Sequence, residues 1–327
     1  MKKKLVRFIF GVLLLPVTLQ AQAQQLPKIP RIGFIAAASQ EAVPNVEPFR
    51  AGLRELGYVE GKNILVEYRY AEGMEDRLPG LVAELVQLRV DVLIIPPLRA
   101  IRAAQQATKT IPIVMVTTAD PVATGLIDSL ARPGGNITGV TRFTAELSGK
   151  RLELLKEAVT GLSRVGVLWD AGGAGSANSF KEYDTAARAL KIPLQSLEVR
   201  GPNLNLDGAF QAATKDRVSA LITITGGLFN LYTKRIADLA IKNRLPSMNE
   251  RSEYVEAGAL MSYAAKDADL YRRAATYVDK ILKGTKPADL PVEQPTNFEF
   301  IINLKTAKQI GLTIPPNVLV RADKVIK

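Results

Sequence analysis

Apolar positions from residue 31 onward follow two alternating patterns. Residues 31–36 form a short apolar run, after which Phe49, Leu53 and Leu56 recur at helical spacing and Gly57 closes the stripe. Ile64, Val66, Tyr68 and Tyr70 alternate, which puts them on one face of a strand. Leu78, Leu81, Val82 and Leu85 make the next helical face. Residues 91–95 are apolar on both faces, 100–108 are helical, and 113–116 are a further buried run. Strands of this kind separated by helices predict a parallel, doubly wound sheet with helices on both sides.

The pattern then restarts. Leu152, Leu155 and Val159 mark a helix, and 165–169 a strand. Phe180, Tyr183, Ala187 and Leu190 share a helical face, and 194–199 alternate as a strand. Leu206, Phe210 and Ala213 mark a helix, 220–224 a strand, and Leu231, Ile236, Leu239 and Ala240 a further helix. Two successive α/β units predict two lobes, joined by a strand at 136–141 after the turn Arg132-Pro133-Gly134-Gly135. In the tail, 259–263 read as a strand, and Leu270, Ala274, Tyr277 and Ile281 line a long helix ended by Gly284. Pro287, Pro291 and Pro295 mark an extended connection before a last strand and helix at 297–303 and 304–310.

Residues 1–23 read differently. Lys2, Lys3, Lys4 and Arg7 precede an apolar run over 8–19, and Ala21-Gln22-Ala23 supplies the small-x-small pattern of a cleavage site. The run is too short, and its downstream flank too polar, for a spanning helix. The expectation is a cleavable signal peptide and a soluble, exported chain. With no cysteine to carry a lipid, the expected location is a Gram-negative periplasm.

Composition narrows the chemistry. The 327 residues contain neither cysteine nor histidine. That excludes a disulfide scaffold, a thiolate metal site, a cysteine nucleophile and a Ser-His-Asp triad. The net charge of +11 is scattered rather than striped, and four of the basic residues lie in the leader, so no nucleic-acid partner is expected. No metal and no cofactor are implied: the first strand lacks G-x-G-x-x-G, and the glycine-rich loop at 171–176 lacks the Gly-Lys-Ser/Thr ending of a Walker loop.

Ligands of open parallel sheets bind beyond the carboxyl ends of the strands. The candidate binding residues are therefore Ala38 and Ser39 after the first strand, Arg99 after the third, and Thr117, Thr118 and Asp120 after the fourth. Arg142 stands at the join between lobes. In the second lobe the candidates are Asp170, Gly172, Gly173 and Ser176, then Thr225, Gly226 and Phe229, with Tyr263 on the tail strand. Arg99 and Arg142 can each pair bidentately with an anion. The N–H groups of the glycine-rich loop stand before a helix, where a carboxylate or phosphate is held well. A carboxylate-bearing ligand is expected.

Several stretches carry a resemblance. They are 49–58 (FRAGLRELGY), 120–126 (DPVATGL), 131–141 (ARPGGNITGVT), 254–263 (YVEAGALMSY) and 295–307 (PTNFEFIINLKTA). Together they resemble the ABC-transporter substrate-binding proteins that include tryptophan- and tyrosine-binding members. The resemblance implies a type I periplasmic-binding-protein fold with three crossovers, near 141–143, 258–261 and 290–294. Lobe one would then be 28–142 plus 259–290, and lobe two 143–258 plus 291–327. It also implies a monomeric receptor that closes on an amino-acid-like or carboxylate-bearing solute and delivers it to an ABC permease in the inner membrane. Relatives carry a small Gly/Ser/Thr loop, Asn-Pro repeats and Asp-Pro-Phe where this chain has Pro96-Pro97-Leu98-Arg99, residues 170–175 and Gly226-Gly227-Leu228-Phe229. The competing classes are an exported α/β enzyme and a transcription regulator on the same sensor fold. The first lacks a paired acid–base constellation, and the second would need a DNA-binding head where this chain has a leader.

Overall fold

The structure, a computed structural model, describes residues 28–37, 39, 45–142, 146–173, 175–201, 204–226, 229 and 231–327. The leader at 1–23 and Ala38 lie outside the described residues.

The first sheet contains β1 (Arg31–Ala36), β2 (Leu65–Tyr70), β3 (Val92–Ile95), β4 (Ile113–Thr117) and β5 (Ile137–Thr141). Their order is β2-β1-β3-β4-β5 and every pairing is parallel. The connecting helices are α1 (Val46–Glu55), α2 (Leu78–Gln87) and α3 (Leu98–Ala107). β3 and β4 are buried throughout, as strands covered on both faces must be. Leu81, Val82 and Leu85 of α2 pack with Ile101 and Ala104 of α3 on one face. Phe34, Phe49 and Leu53 fill the other.

The second lobe contains α4 (Glu146–Ala158), β6 (Val165–Asp170), α5 (Ser176–Ala189), β7 (Leu194–Val199), α6 (Leu206–Lys215), β8 (Ala220–Thr223), α7 (Thr233–Lys242), β9 (Ser247–Asn249), α8 (Ser252–Glu256) and β10 (Met261–Ala265). Next come α9 (Asp267–Leu282), β11 (Phe298–Asn303), α10 (Leu304–Ile310), α11 (Pro316–Leu319) and β12 (Lys324–Ile326). The sheet has seven strands in the order β12-β11-β10-β9-β8-β6-β7. It is parallel except where β11 runs against β10. The reason is the path of the chain: α9 packs in the first lobe, where Leu270, Tyr271, Ala274 and Val278 join the core around Phe34. No crossover helix lies on the second sheet between β10 and β11, so β11 returns antiparallel.

This path corrects the expected lobe boundaries. Residues 261–265 belong to the second sheet, because β10 pairs with β9 and β11. The second crossing therefore falls between Ala265 and Asp267, not at 258–261. The third lies beyond Glu293, which bridges Val140 along the edge of β5 through Thr141 N→Glu293 O at 2.9 Å and Glu293 N→Gly139 O at 3.0 Å. Gly139 has φ +132°, and a Cβ there would sit 2.2 Å from the Met115 carbonyl oxygen. Only glycine allows β4 and β5 to approach so closely at the first crossing.

Candidate functional site

Both sheets turn carboxyl ends of strands toward one cleft, and a cavity of about 360 Å³ lies between them. That is the lower end of the range for small-molecule sites. Its apolar wall includes Phe34, Pro96, Leu98 and Val116 from the first lobe, Tyr271 of α9 and Tyr254 of α8. The two rims touch. A Cβ on Gly175 would stand 3.2 Å from the Ala119 Cβ across the cleft, and one on Gly73 would stand 3.1 Å from Leu231 Cδ1. Leu231, expected on a buried helical stripe, precedes α7 and is 53% exposed at this rim.

Of the sequence candidates, Arg99, Thr118, Arg142, Gly173, Ser176, Thr225 and Gly226 line the cavity. Ser39, Thr117, Asp120, Asp170, Gly172, Phe229 and Tyr263 do not. Thr117 Oγ1 accepts the Ala119 N–H at 3.1 Å, and Asp120 Oδ1 caps a turn by accepting the Val122 and Ala123 N–H groups at 2.9 and 3.0 Å. Phe229 is fully buried with Leu168 and Tyr254 in the core of the second lobe. Tyr263 packs on Phe298 and Phe300 beside the opposite core.

The glycine-rich loop is not an open anion cradle. Gly172 N donates to Asp170 Oδ1 at 2.9 Å, Gly173 N to Asp170 O at 3.0 Å, and Ser176 N to Gly173 O at 3.2 Å. These three donors hold the loop itself together.

Arg142 is likewise engaged. Its Nε and Nη2 donate to Asp267 Oδ1 and Oδ2 at 2.6 and 2.9 Å. Both side chains are only 13% exposed. Arg251 Nη2 reaches the same carboxylate at 3.3 Å and Asn45 Nδ2 at 3.4 Å, while Glu253 holds Arg251 from the other side. Burial works against the Asp267 charge, but the Arg142 and Arg251 guanidiniums outweigh it and hold the carboxyl below its ordinary range. Arg251 follows β9 and Asp267 starts α9, so this cluster ties the lobes beside a crossing.

A second network fixes the far wall. Glu250 Oε2 accepts from Thr225 N and Oγ1 at 2.9 and 3.0 Å. Its Oε1 accepts from the Tyr183 hydroxyl at 2.9 Å and from Arg151 Nη1 at 3.3 Å. Arg151 Nε in turn donates to the Tyr263 carbonyl at 2.8 Å. Thr225 thus meets the cavity on a rigid support.

Two groups at the entrance differ from expectation. Arg99, expected to be open to an anion, pairs with Asp76 at 2.7 Å and is half exposed. Glu75, in the turn ahead of α2, lines the cavity, and its carboxylate makes no hydrogen bond or ion pair with any described residue. Burial pushes its carboxyl up; Arg99 draws it back, and Asp170 and Asp76 push it further up. Glu75 was missed because the strand-end rule was not applied to β2, whose exit leads directly to residues 71–75. Arg251, Glu253 and Tyr254 follow β9, a three-residue strand too short to leave a periodic signal.

A cavity held between two α/β lobes, with rims that meet across it, defines a two-lobed ligand-binding protein. The chain matches the family model of ABC transporter substrate binding proteins over residues 27–326, and it belongs to that family. It is 26% identical over 276 residues, 81% of this chain and 75% of the relative, to a tyrosine-binding protein of Clostridioides difficile (strain R20291). The crystal structure of a conserved domain protein from Vibrio cholerae O1 biovar El Tor is 27% identical, with a TM-score of 0.84 over 91% of this chain and 100% of that one. The ABC domain from Streptococcus pneumonia in complex with L-Trp is 24% identical, with a TM-score of 0.83 over 91% of this chain and 99% of that one. The fold is that of the type I periplasmic binding proteins.

Proposed function

We propose that this chain is the solute receptor of an ABC importer in a Gram-negative periplasm, exported by its first 23 residues and working as a monomer. Its activity is binding: the lobes close on a small amino-acid-like molecule, and the closed form docks on an inner-membrane permease. The observation that carries this reading is the enclosed cavity between rims that touch at Gly73–Leu231 and Gly175–Ala119. The tyrosine-binding relative supports an amino-acid-like solute, and the solute-binding character of the family supports binding rather than turnover. A ligand holds such a protein closed only by its greater affinity for the closed form. Small-angle scattering of the mature protein with and without a bound solute tests closure. A radius that does not fall, in a protein shown to be open when free, refutes it. Intact-mass analysis of osmotic-shock fluid tests export, with a mature chain starting near Gln24 expected and an uncleaved chain in the cytosol contradicting it.

A further inference from the structure

We infer that the solute is held by a protonated nitrogen and that Glu75 is the residue that selects it. This deepens the receptor reading above and rests on it.

The argument is one of charge complementarity. Each guanidinium at the cavity already has a carboxylate partner: Arg142 has Asp267, Arg251 has Glu253 and Asp267, and Arg99 has Asp76. An anionic solute would have to share a guanidinium whose charge is already matched by one of these carboxylates. The glycine-rich loop offers it little, since the Gly172, Gly173 and Ser176 N–H groups bond within the loop. Glu75 is the opposite case. Its carboxylate faces the cavity with no ion pair to a described residue. The carboxylate closest to it in effect from the other lobe, Asp170, is itself buried and adds negative potential. Arg99 offsets its charge only in part and bonds to Asp76 instead, so the half-buried carboxylate lacks a direct partner among the described residues, which is costly; a cation placed against it relieves that cost with a charge-assisted hydrogen bond. The rest of the wall, Phe34, Leu98, Val116, Tyr254 and Tyr271, suits an apolar or ring-bearing body. The class is therefore a compact amine with an apolar body, in which a carboxylate is dispensable.

The test uses three molecular bodies, each as amino acid, amine and acid: L-tyrosine, tyramine and 3-(4-hydroxyphenyl)propanoate; L-tryptophan, tryptamine and 3-indolepropanoate; L-leucine, isopentylamine and 4-methylpentanoate. Thermal shift selects the bodies that bind, and calorimetry measures them on wild type and on Glu75→Gln. For the bodies that bind, the amine is expected to match or exceed the amino acid and to exceed the acid at least about tenfold. Glu75→Gln should weaken the amine and amino acid by about ten- to a hundredfold, without weakening any acid and without lowering the melting temperature of the free protein. An acid that binds wild type as tightly as its amine, or an amine that binds Glu75→Gln unchanged, overturns the inference and leaves the receptor reading standing. A wild-type protein that binds no member of the panel refutes the amino-acid-like reading, and the inference with it.

Discussion

Asp267 offers a severe test of how this molecule is held together. Asp267→Asn keeps the shape of the side chain and removes its charge. Among the described residues Arg142 then loses its one carboxylate partner, whereas Arg251 keeps Glu253. The Arg142 and Asp267 side chains are each 13% exposed, so the stranded guanidinium is poorly reached by water. Breaking a buried pair from one side costs about 3–5 kcal/mol, mostly because a buried charge is left uncompensated. In equilibrium urea denaturation that corresponds to a midpoint lowered by roughly 1 M or more. The double variant Asp267→Asn/Arg142→Met should recover much of the loss, because it leaves no stranded charge. The pH dependence has a definite sign. The folded-state value of Asp267 lies below its unfolded value. Its stabilisation is therefore present above the ordinary carboxylate range and is lost as pH falls through the depressed folded value. Wild type should weaken across that acid window, and Asp267→Asn should lack this component. A loss below about 1 kcal/mol at pH 7, or a double variant no better than the single, would refute the claim that this pair is buried and mutually dependent.

Three further outcomes follow from particular residues. Burial raises the Glu75 carboxyl above its unfolded value, so protonation stabilises the free protein and that contribution is lost as pH rises through the folded value; Glu75→Gln should melt higher than wild type at pH 8 and converge with it near pH 4, and equal melting curves at both would contradict this. Gly175 has φ +87° and meets Ala119 across the rim; Gly175→Ala should lower stability by about 1 kcal/mol and weaken solute binding, with unchanged affinity in calorimetry excluding the rim contact from the bound form. Gly139→Ala forces a Cβ to within 2.2 Å of a backbone oxygen and should cost more than about 2 kcal/mol in thermal unfolding, while a near-neutral result would show that β4 and β5 separate easily.

Regular elements were legible in the sequence where burial imposes a period. The stripe Leu78, Leu81, Val82, Leu85 and the continuous run in β3 leave little choice, because a helix or strand that faces a core must place apolar groups there. Lobe assignment in the tail was less legible. The pattern at 259–263 identifies a strand, found at Met261–Ala265, but does not say which sheet completes it; that is decided by pairing with β9, itself too short to read. The site was legible at strand ends and not in its electrostatics. Arg99, Arg142 and Thr225 line the cleft, yet what each does depends on partners far away in sequence: Asp267 for Arg142, Glu250 for Thr225. A charge seen alone in a sequence invites a ligand of opposite sign, whereas the fold had already supplied the counter-charge.

The same electrostatics bear on why the free protein would open. Glu75 stands on the first lobe at the cavity and Asp170 ends β6 of the second, buried behind its own loop with Oδ1 accepting the Gly172 N–H. In this arrangement burial raises the Glu75 carboxyl and the Asp170 charge adds to it, while Arg99 offsets part of the rise. That like-charge repulsion between the lobes works against this arrangement, while the rim contacts at Gly73 and Gly175 and the Arg251–Asp267 pair favour it. A solute with a cationic nitrogen changes the balance by screening the acids from each other in the one state where they meet. That is a differential interaction with the closed form, which is the only way a ligand can drive a two-state closure. On the proposed reading Glu75 would then serve two purposes through one charge: it would select the solute, and while unoccupied it would weigh against closure of the lobes.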